Sequence, residues 1–389
     1  MPFSHFIPTR ILFGVGQLKE LHRQALPGRK ALIVISAGKT TRGNGYLARV
    51  EAQLAEAGVQ TAVFDEIQPN PTKGNITRGA AAARASGADF VVGLGGGSSI
   101  DAAKAIAVMA TNPGDLWDYI GGGSGKGLPM QKAPLPVVAI TTTAGTGTEA
   151  DPWAVVTKED TNEKIGFGFD STFPVLSIVD PELMVSVPPQ LTAFQGFDAL
   201  FHSTEGYFGK AASPVSDLYA LKAIELIGAH LPTAVKDGAN LAAREAVALA
   251  NTLAGMVEST SSCTSEHSLE HALSAHHPSL AHGAGLIMLS LAYYRHFAEV
   301  HACDDRMVAM AKALGMSDAT KAGDFVEALA ALQHKCGVAE LRMSDYGVRR
   351  DDLRRYARNA ADTMGGLFAC DPAPLSEDDC VKILEQSYR

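Results

Sequence analysis

A regular exchange of strand-like and helix-like segments along the first half of the chain restricts the fold more than any other feature. Short apolar and β-branched runs predict strands at 31–35, 60–65, 89–95 and 134–140. Apolar residues at helical spacing predict the intervening helices, at 45–58, 76–87 and 99–110. Strands that alternate with helices of this length form a parallel sheet with helices on its faces. We therefore predict an α/β domain.

The second half of the chain has a different pattern. After about residue 185, segments 188–208 and 241–260 are helical in character, and Ser213 followed by Pro214 is a typical start of another helix. Little strand signal follows. We therefore predict two domains, an α/β domain over 1–185 and an all-helical domain over 186–389.

Charge and cysteine usage exclude several classes of protein. The net charge of −9 disfavours nucleic acid or an anionic membrane as the main partner. The five cysteines are dispersed without a CxxC pair, which is typical of reduced thiols in a cytosol. The start of the chain lacks a signal-peptide pattern, and the longest apolar stretch is shorter than the roughly 18 residues that span a bilayer. We expect a cytoplasmic protein without membrane or nucleic-acid partners.

Two polar turns that follow predicted strands are candidates for binding a nucleotide. The glycine turn, GLGGGSS at 93–99, leaves backbone amides free to approach a phosphate at the start of a helix. An ordinary glycine-rich loop is the alternative. The threonine turn, AITTTAGTGTEAD at 139–151, offers hydroxyls and glycines after another strand. Because the glycines follow about the third strand and not the first, we expect a dinucleotide fold other than the simple Rossmann fold.

Histidines and one aspartate are concentrated in the predicted helical domain. Asp198 and His202 are four residues apart and therefore share one face of a helix. Residues 267–283 contain five of the twelve histidines in the chain. One Asp with three His suits Fe(II) or Zn(II) and leaves a position for a substrate. Each histidine taken alone is better explained as an ordinary core or surface residue, but together they favour a metal site.

Four motifs carry a resemblance to a known family. In chain order they are GGGSSIDAAK, TTAGTGTEAD, FDALFH and EHALSAHHPSLAHGAG, and with them the chain resembles the iron-containing (group III) alcohol dehydrogenases nearly from end to end. The resemblance implies a dehydroquinate synthase-like fold, in which an α/β dinucleotide-binding domain precedes an all-α metal-binding domain. It also implies a homodimer or a larger homo-oligomer.

The resemblance assigns roles to individual residues. The expected metal ligands are Asp198, His202, His271 and His282, although His267 competes for the place of His271. The expected proton relay is one of two neighbouring histidines, His276 and His277. The cofactor contacts that the resemblance implies lie in the two turns and at two further positions, namely Gly96, Gly97, Ser98, Thr142, Thr143, Thr146, Asn70 and Lys164.

The expected reaction is the interconversion of small primary alcohols or diols with aldehydes. Fe(II), or another divalent ion such as Zn(II), polarises the alcohol oxygen, and a nicotinamide cofactor exchanges the hydride. In the segment 36–43, Ser36 and Lys39 are further expected cofactor contacts, at the adenosine ribose. The segment also contains Arg42 but no acid that would accept a hydrogen bond from a ribose 2′-hydroxyl. This composition favours NADP over NAD, with NAD possible, and solvated surface charges are the alternative explanation.

Other functions compete with this one. A dehydroquinate-synthase-like cyclase or a glycerol-dehydrogenase-like enzyme would share the fold. The cyclase needs several cations to hold a phosphate and a carboxylate, and segments 191–207 and 267–285 contain no Lys or Arg. A metal-storage protein without redox turnover would need neither of the two nucleotide-type turns.

Overall fold

A parallel sheet forms the centre of the first half of the chain. The structure, a computed structural model, describes residues 3–389. In chain order, the strands of these residues are β1 (Arg10–Phe13), β2 (Lys30–Ser36), β3 (Gln60–Ile67), β4 (Phe90–Gly95), β5 (Val137–Thr141), β6 (Ala154–Lys158), β7 (Glu163–Phe167) and β8 (Leu176–Val179). Six strands form one all-parallel sheet in the order β1-β8-β5-β4-β2-β3. β6 and β7 form a separate antiparallel hairpin.

Helices cover the sheet and make up the second half of the chain. Those of the first half are α1 (Thr40–Gly43), α2 (Tyr46–Glu56), α3 (Lys73–Ser86), α4 (Gly97–Thr111) and α5 (Leu116–Tyr119). Those of the second half are α6 (Pro189–Phe208), α7 (Pro214–Lys236), α8 (Leu241–Ser261), α9 (Ser265–His276), α10 (His282–Glu299), α11 (Asp304–Ala313), α12 (Gly323–Lys335), α13 (Leu353–Phe368) and α14 (Glu377–Ser387). Within residues 3–389 no strand follows β8. The predicted fold class, an α/β part followed by an all-α part, is therefore confirmed.

Four short strands were not predicted from the sequence. β1 and β8 have four residues each, and β8 lies between β5 and β1 in the sheet. β6 and β7 have five residues each and pair with one another, and Thr157 of β6 also forms a single bridge to Thr72. Strands of four or five residues are too short to show a recognisable period in the sequence. The glycine turn consequently follows the fourth strand of the chain.

Strand order reverses at the centre of the sheet. The chain passes from β2 to its neighbour β3 on one side and then returns to form β4 on the other side of β2. In sheets of this kind, ligands bind beyond the carboxyl ends of the strands at such a reversal. The glycine turn, which joins β4 to α4, lies at this place in the fold.

Alternate residues of the central strands pack on opposite faces of the sheet. Leu32 and Val34 of β2 belong to a buried cluster with α3 and α4, whereas Ile33 and Ile35 belong to a cluster with α2 on the other face. A third and larger core fills the helical half and extends to Val179 at the end of β8. The helical half therefore packs against the carboxyl edge of the sheet.

Candidate active site

The glycine turn and the threonine turn are packed tightly together. A Cβ atom on Gly97 would lie 2.5 Å from Thr146 Cγ2, and one on Gly96 would lie 3.0 Å from Thr143. Gly95 has a φ of +147°, which side-chain-bearing residues rarely adopt. Gly97 is the first residue of α4, so its amide and that of Ser98 have no acceptor within the helix. The glycines therefore leave free amides facing open space.

A buried lysine holds the end of the threonine turn. Lys104 of α4 is fully buried, and its Nζ donates to Thr148 O at 2.8 Å and to Thr148 Oγ1 at 2.7 Å. The same Nζ donates to Asp151 O, Asp151 Oδ1 and Trp153 O at 2.7 to 3.0 Å. Thr148 Oγ1 donates in turn to Asp101, a carboxyl whose pKa burial raises to about 6. The sequence analysis did not assign a role to Lys104.

One cleft connects the glycine turn with the histidines of the helical half. Residues expected from sequence that line it are Asn70, Gly97, Ser98, Thr146, Lys164, His202, His271 and His282. The residues that line it without having been assigned a role include Asp151, Glu258, Cys263 and Met364. Gly96 and Thr143 pack against each other, and the amide of Thr142 donates to Gly95 O at 2.9 Å. Gly96, Thr142 and Thr143 therefore contribute to the packing of the two turns but do not line the cleft.

Asp198 and three histidines converge at the far end of the cleft. Asp198 Oδ1 lies 3.4 Å from His282 Nε2, 3.7 Å from His267 Nε2 and 3.8 Å from His202 Nδ1. Ligand atoms of a tetrahedral site with bonds near 2.1 Å are roughly 3.4 Å apart. Asp198 Oδ1, His202 Nδ1 and His267 Nε2 are buried and have no hydrogen-bond partner in the described chain. Unpaired buried polar atoms are costly, so this arrangement fits a divalent metal ion.

The structure places His267, and not the expected His271, beside Asp198. The two histidines are four residues apart on α9, about 6 Å along the axis, and only His267 has a ring nitrogen within 4.0 Å of the carboxylate. His271 Nδ1 instead lies 2.9 Å from the sulfur of Met364. His271 still lines the cleft next to His282, with ring centroids 5.2 Å apart.

Two glutamates are hydrogen-bonded to the Nδ1 atoms of His267 and His282, whose Nε2 atoms lie closest to Asp198. His267 Nδ1 donates to Glu205 Oε1 at 2.5 Å, and His282 Nδ1 is hydrogen-bonded to Glu270 Oε2. Glu205 Oε2 also accepts from the amide and the hydroxyl of Thr264, both at 2.7 Å. Carboxylates in this position orient histidine ligands and make the opposite nitrogen a better donor to a metal. The sequence analysis missed both glutamates.

The protonation of the cluster without a metal differs from one ring to the next. Burial lowers the pKa of His202 to about 4, so its ring is neutral near pH 7. Against the effect of burial, neighbouring acidic groups raise the pKa of His267 well above its usual value and also raise the pKa of His282. Burial alone would raise the pKa of Asp198, but the surrounding histidines hold it well below its usual range. His202 and Asp198 thus have the neutral and ionised forms that coordinate a cation, whereas His267 and His282 would each release a proton on binding one.

The structure does not bring the expected relay histidines into the cleft. His276 is the last residue of α9, and its Nδ1 is 2.9 Å from Ala272 O. His277 Nε2 is 2.8 Å from the hydroxyl of Tyr356 on α13. Neither side chain lines the cleft. Where α9 ends, these two residues face α13 and not the cofactor side.

Lys164 is the one Lys or Arg side chain among the described residues that line the cleft. It is buried on β7, where its Nζ donates to Ser274 Oγ at 2.9 Å and lies 3.5 Å from Glu270 Oε2. A single basic group that is already paired gives little support for holding both a phosphate and a carboxylate. The cyclase alternative is therefore disfavoured.

The segment after β2 lies outside this lining. Ser36 is the last residue of β2, and Lys39 is exposed just beyond it. Arg42 forms an ion pair with Asp65 of β3, with Nη2 and Oδ2 2.6 Å apart. The sequence analysis found no acid within 36–43, but the structure supplies one from the neighbouring strand.

Comparison with known proteins agrees with the geometry of the cleft. The family described as "Iron-containing alcohol dehydrogenase" matches residues 8–181, and its C-terminal region, "Fe-containing alcohol dehydrogenase family, C-terminal", matches residues 192–388. The NAD-dependent methanol dehydrogenase of Bacillus methanolicus is 35% identical over 393 residues, which cover 99% of each chain. The 1,3-propanediol dehydrogenase of Klebsiella pneumoniae is 33% identical over 392 residues, again covering 99% of each.

Solved structures give the same result. The crystal structure of an archaeal halo-thermophilic alcohol dehydrogenase from a Red Sea brine pool is 34% identical and superposes with a TM-score of 0.94, covering 100% of this chain and 99% of that one. None of the helices in residues 3–389 combines the length and the apolar character needed to cross a membrane. From the matched profiles and the near-complete coverage of these relatives, we conclude that the chain belongs to the iron-containing alcohol dehydrogenase family.

Proposed function

We propose that the chain oxidises small primary alcohols or diols to aldehydes, and catalyses the reverse reduction, at the cleft between its two halves. One observation carries the proposal. Unpartnered, buried ligand atoms of Asp198, His202 and His267 lie at one end of a cleft whose other end is a glycine turn at a helix N-terminus. A metal end and a phosphate end in one cleft are what a metal-dependent dehydrogenase requires.

The cofactor end is formed by backbone and hydroxyl groups. The free amides at the start of α4, from Gly97 and Ser98, would hold the pyrophosphate, with Thr146 beside them. Asn70 lines the cleft near this end, and we assign it to the adenosine half. Lys164 lies close to Glu270 and thus to the metal end, which supports a place beside the nicotinamide.

The metal end is formed by Asp198, His202, His267 and His282. A divalent ion bound there would supply Lewis-acid polarisation of the alcohol oxygen. Glu205 and Glu270 keep the rings of His267 and His282 oriented. His271, in the cleft but not beside Asp198, takes the proton-relay role expected at His276 or His277.

The test measures oxidation of NADPH and of NADH by butanal, with chelator-stripped protein before and after adding Fe²⁺ under argon. We expect activity only after metal is restored. Asp198→Asn keeps the size of the side chain but removes its charge, so we expect it to stay inactive with metal. Metal-independent turnover, or none with either cofactor at any small aldehyde, would contradict the proposal.

We also propose that NADP is preferred over NAD. Arg42 is neutralised by Asp65, whereas Lys39 forms no ion pair with any residue from 3 to 389. A free ammonium near the ribose would favour a 2′-phosphate through a charge-assisted hydrogen bond. Lys39→Ala should raise KM for NADPH roughly 10-fold or more and leave KM for NADH nearly unchanged. Lys19→Ala, at another exposed lysine, is the control; an equal effect on both cofactors would reject the preference.

Three further expectations belong to the proposal. We propose a division into domains at residues 185 and 186, a homodimer or larger homo-oligomer, and a cytoplasmic location. The free state of all five cysteines supports the last of these. Light scattering coupled to size-exclusion chromatography would give the oligomeric state, and a monomer would reject that part.

A further inference from the structure

A thiol lies beside two of the proposed metal-binding histidines. Cys263 is 4% exposed and lines the cleft. His202, Cys263 and His267 each have a potential ligand atom, and these three atoms lie within 4.8 Å of one another. The rings of His202 and His267 are stacked, with centroids 4.5 Å apart. This group shares two histidines with the cluster around Asp198 and adds a sulfur.

A second observation beside the thiol comes from the two histidines, which this position shares with the cluster around Asp198. They are 5% and 3% exposed, and His202 Nδ1 and His267 Nε2 have no hydrogen-bond partner in the described chain. Buried nitrogens of this kind are normally satisfied by protein or solvent. The position next to Cys263 is therefore lined by groups that lack the partner a cation would supply.

The backbone holds Cys263 at this position. The preceding residue, Ser262, has φ 66° and ψ 170°, a region essentially restricted to glycine. The following residue, Thr264, is fixed by two hydrogen bonds to Glu205. A strained conformation persists only where its surroundings determine it, and such residues are concentrated at ligand sites. The three-residue link between α8 and α9 thus presents the Cys263 side chain to the cleft.

We propose that Cys263, with His202 and His267, forms a thiolate-containing position for thiophilic divalent ions such as Zn²⁺, Co²⁺ and Cd²⁺. This inference rests on the metal site of the proposed function, with which it shares both histidines. Thiolate ligands favour Zn²⁺ over ions that prefer oxygen and nitrogen, such as Mn²⁺. On binding, the sulfur donates an electron pair to the ion and the thiol proton passes to solvent, so no oxidation state changes. Cys263 therefore determines which metal the chain selects.

The test is a titration of metal-free protein with Co²⁺, followed by absorption spectroscopy. We expect a near-ultraviolet sulfur-to-cobalt charge-transfer band together with the visible bands of bound Co²⁺. Cys263→Ala and Cys263→Ser should lose the charge-transfer band and keep the visible bands. Cys380→Ala, at a cysteine that is equally buried but outside the cleft, should keep both.

Competition with a chelator gives the selectivity. We expect Cys263→Ser to bind Zn²⁺ about 10- to 100-fold more weakly, with Mn²⁺ affinity changed much less. Visible bands without a charge-transfer band in the unmodified protein would overturn the thiolate position and leave the metal site standing. No Co²⁺ binding at all would overturn both. A charge-transfer band that survives Cys263→Ala would assign the sulfur elsewhere; if that variant does not fold, the spectrum of the unmodified protein decides alone.

Discussion

Two histidines of α9 could lie beside Asp198. The one that does so determines which role remains for the other. With His267 beside the carboxylate, His271 lies one turn further along, free to contact a substrate or cofactor. The glutamate behind His267 supports the same choice, because His271 contacts Met364 instead.

Single substitutions on α9 test this choice. We expect His267→Ala to lose at least about 10- to 100-fold in metal affinity, because it removes a ligand and leaves Glu205 Oε1 without its partner. His271→Ala should bind metal normally but show a lower kcat and an altered pH profile. Metal content by atomic absorption and steady-state kinetics distinguish the two. His334→Ala, at an exposed position on α12, is the control; metal loss in the His271 variant alone would reverse the assignment.

The residue patterns predicted which types of side chain lie together at the metal end better than which turn of α9 faces α6. The four-residue spacing of Asp198 and His202 is visible in any sequence and places both on one face of α6. Two Glu-His pairs occur one turn apart on α9, and no local pattern says which turn faces α6. That choice depends on how the two helices pack, as do the contacts of Glu205. These are tertiary properties, and they require the structure.

At the scale of elements, the turn that joins β4 to α4 leaves no room for a side chain on Gly97. The two turns approach so closely that even a methyl group on Gly97 would overlap Thr146. The sequence predicted this strand–turn–helix unit, since its strand is apolar and its helix is long. The sequence did not predict that the threonine turn packs against this unit. Lys104 holds the threonine turn in place by hydrogen bonds to Thr148 O and Asp151 O.

Gly97→Ala should therefore weaken cofactor binding more than metal binding. The new methyl group must displace Thr146, at a cost of about 1–3 kcal/mol, and it narrows the space in front of the free amides. We expect KM for the nicotinamide cofactor to rise roughly 10-fold, with metal content unchanged. Gly323→Ala, at the start of α12, meets no atom within 4 Å and serves as the control. An unaltered KM in the Gly97 variant would mean that the turn does not hold the pyrophosphate.

At the scale of the whole molecule, a buried carboxyl joins the two halves. Glu149, in the threonine turn, accepts hydrogen bonds at 2.8 Å from Asn251 Nδ2 and Thr252 Oγ1 of α8. The amide of Gly147 donates to Asn251 Oδ1 at 2.9 Å. Burial raises the pKa of Glu149 from its usual 4.5 to about 7. The contact between the halves therefore includes a carboxyl that keeps its proton in the folded state up to about pH 7.

This protonation makes stability depend on pH. Between pH 4.5 and 7 the unfolded chain ionises Glu149 while the folded chain does not, so stability falls as pH rises, by roughly 3 kcal/mol in total. Glu149→Gln keeps the accepting oxygen and cannot ionise. We expect its unfolding midpoint, relative to that of the unmodified protein, to increase from pH 5 to pH 8. Glu340→Gln, at an exposed glutamate, should show no such trend; a flat difference for Glu149→Gln would contradict the buried proton.

The two walls of the cleft belong to different halves of the chain, and this has an evolutionary consequence. Lys39 lies in the α/β half, outside the cleft lining, and Cys263 lines the cleft from the helical half. Effects of substitutions at distant sites without shared partners are nearly additive. If Lys39 and Cys263 have the roles proposed above, nicotinamide preference and metal preference are separately heritable traits. Selection in a lineage of such enzymes can change either one without first compensating for the other.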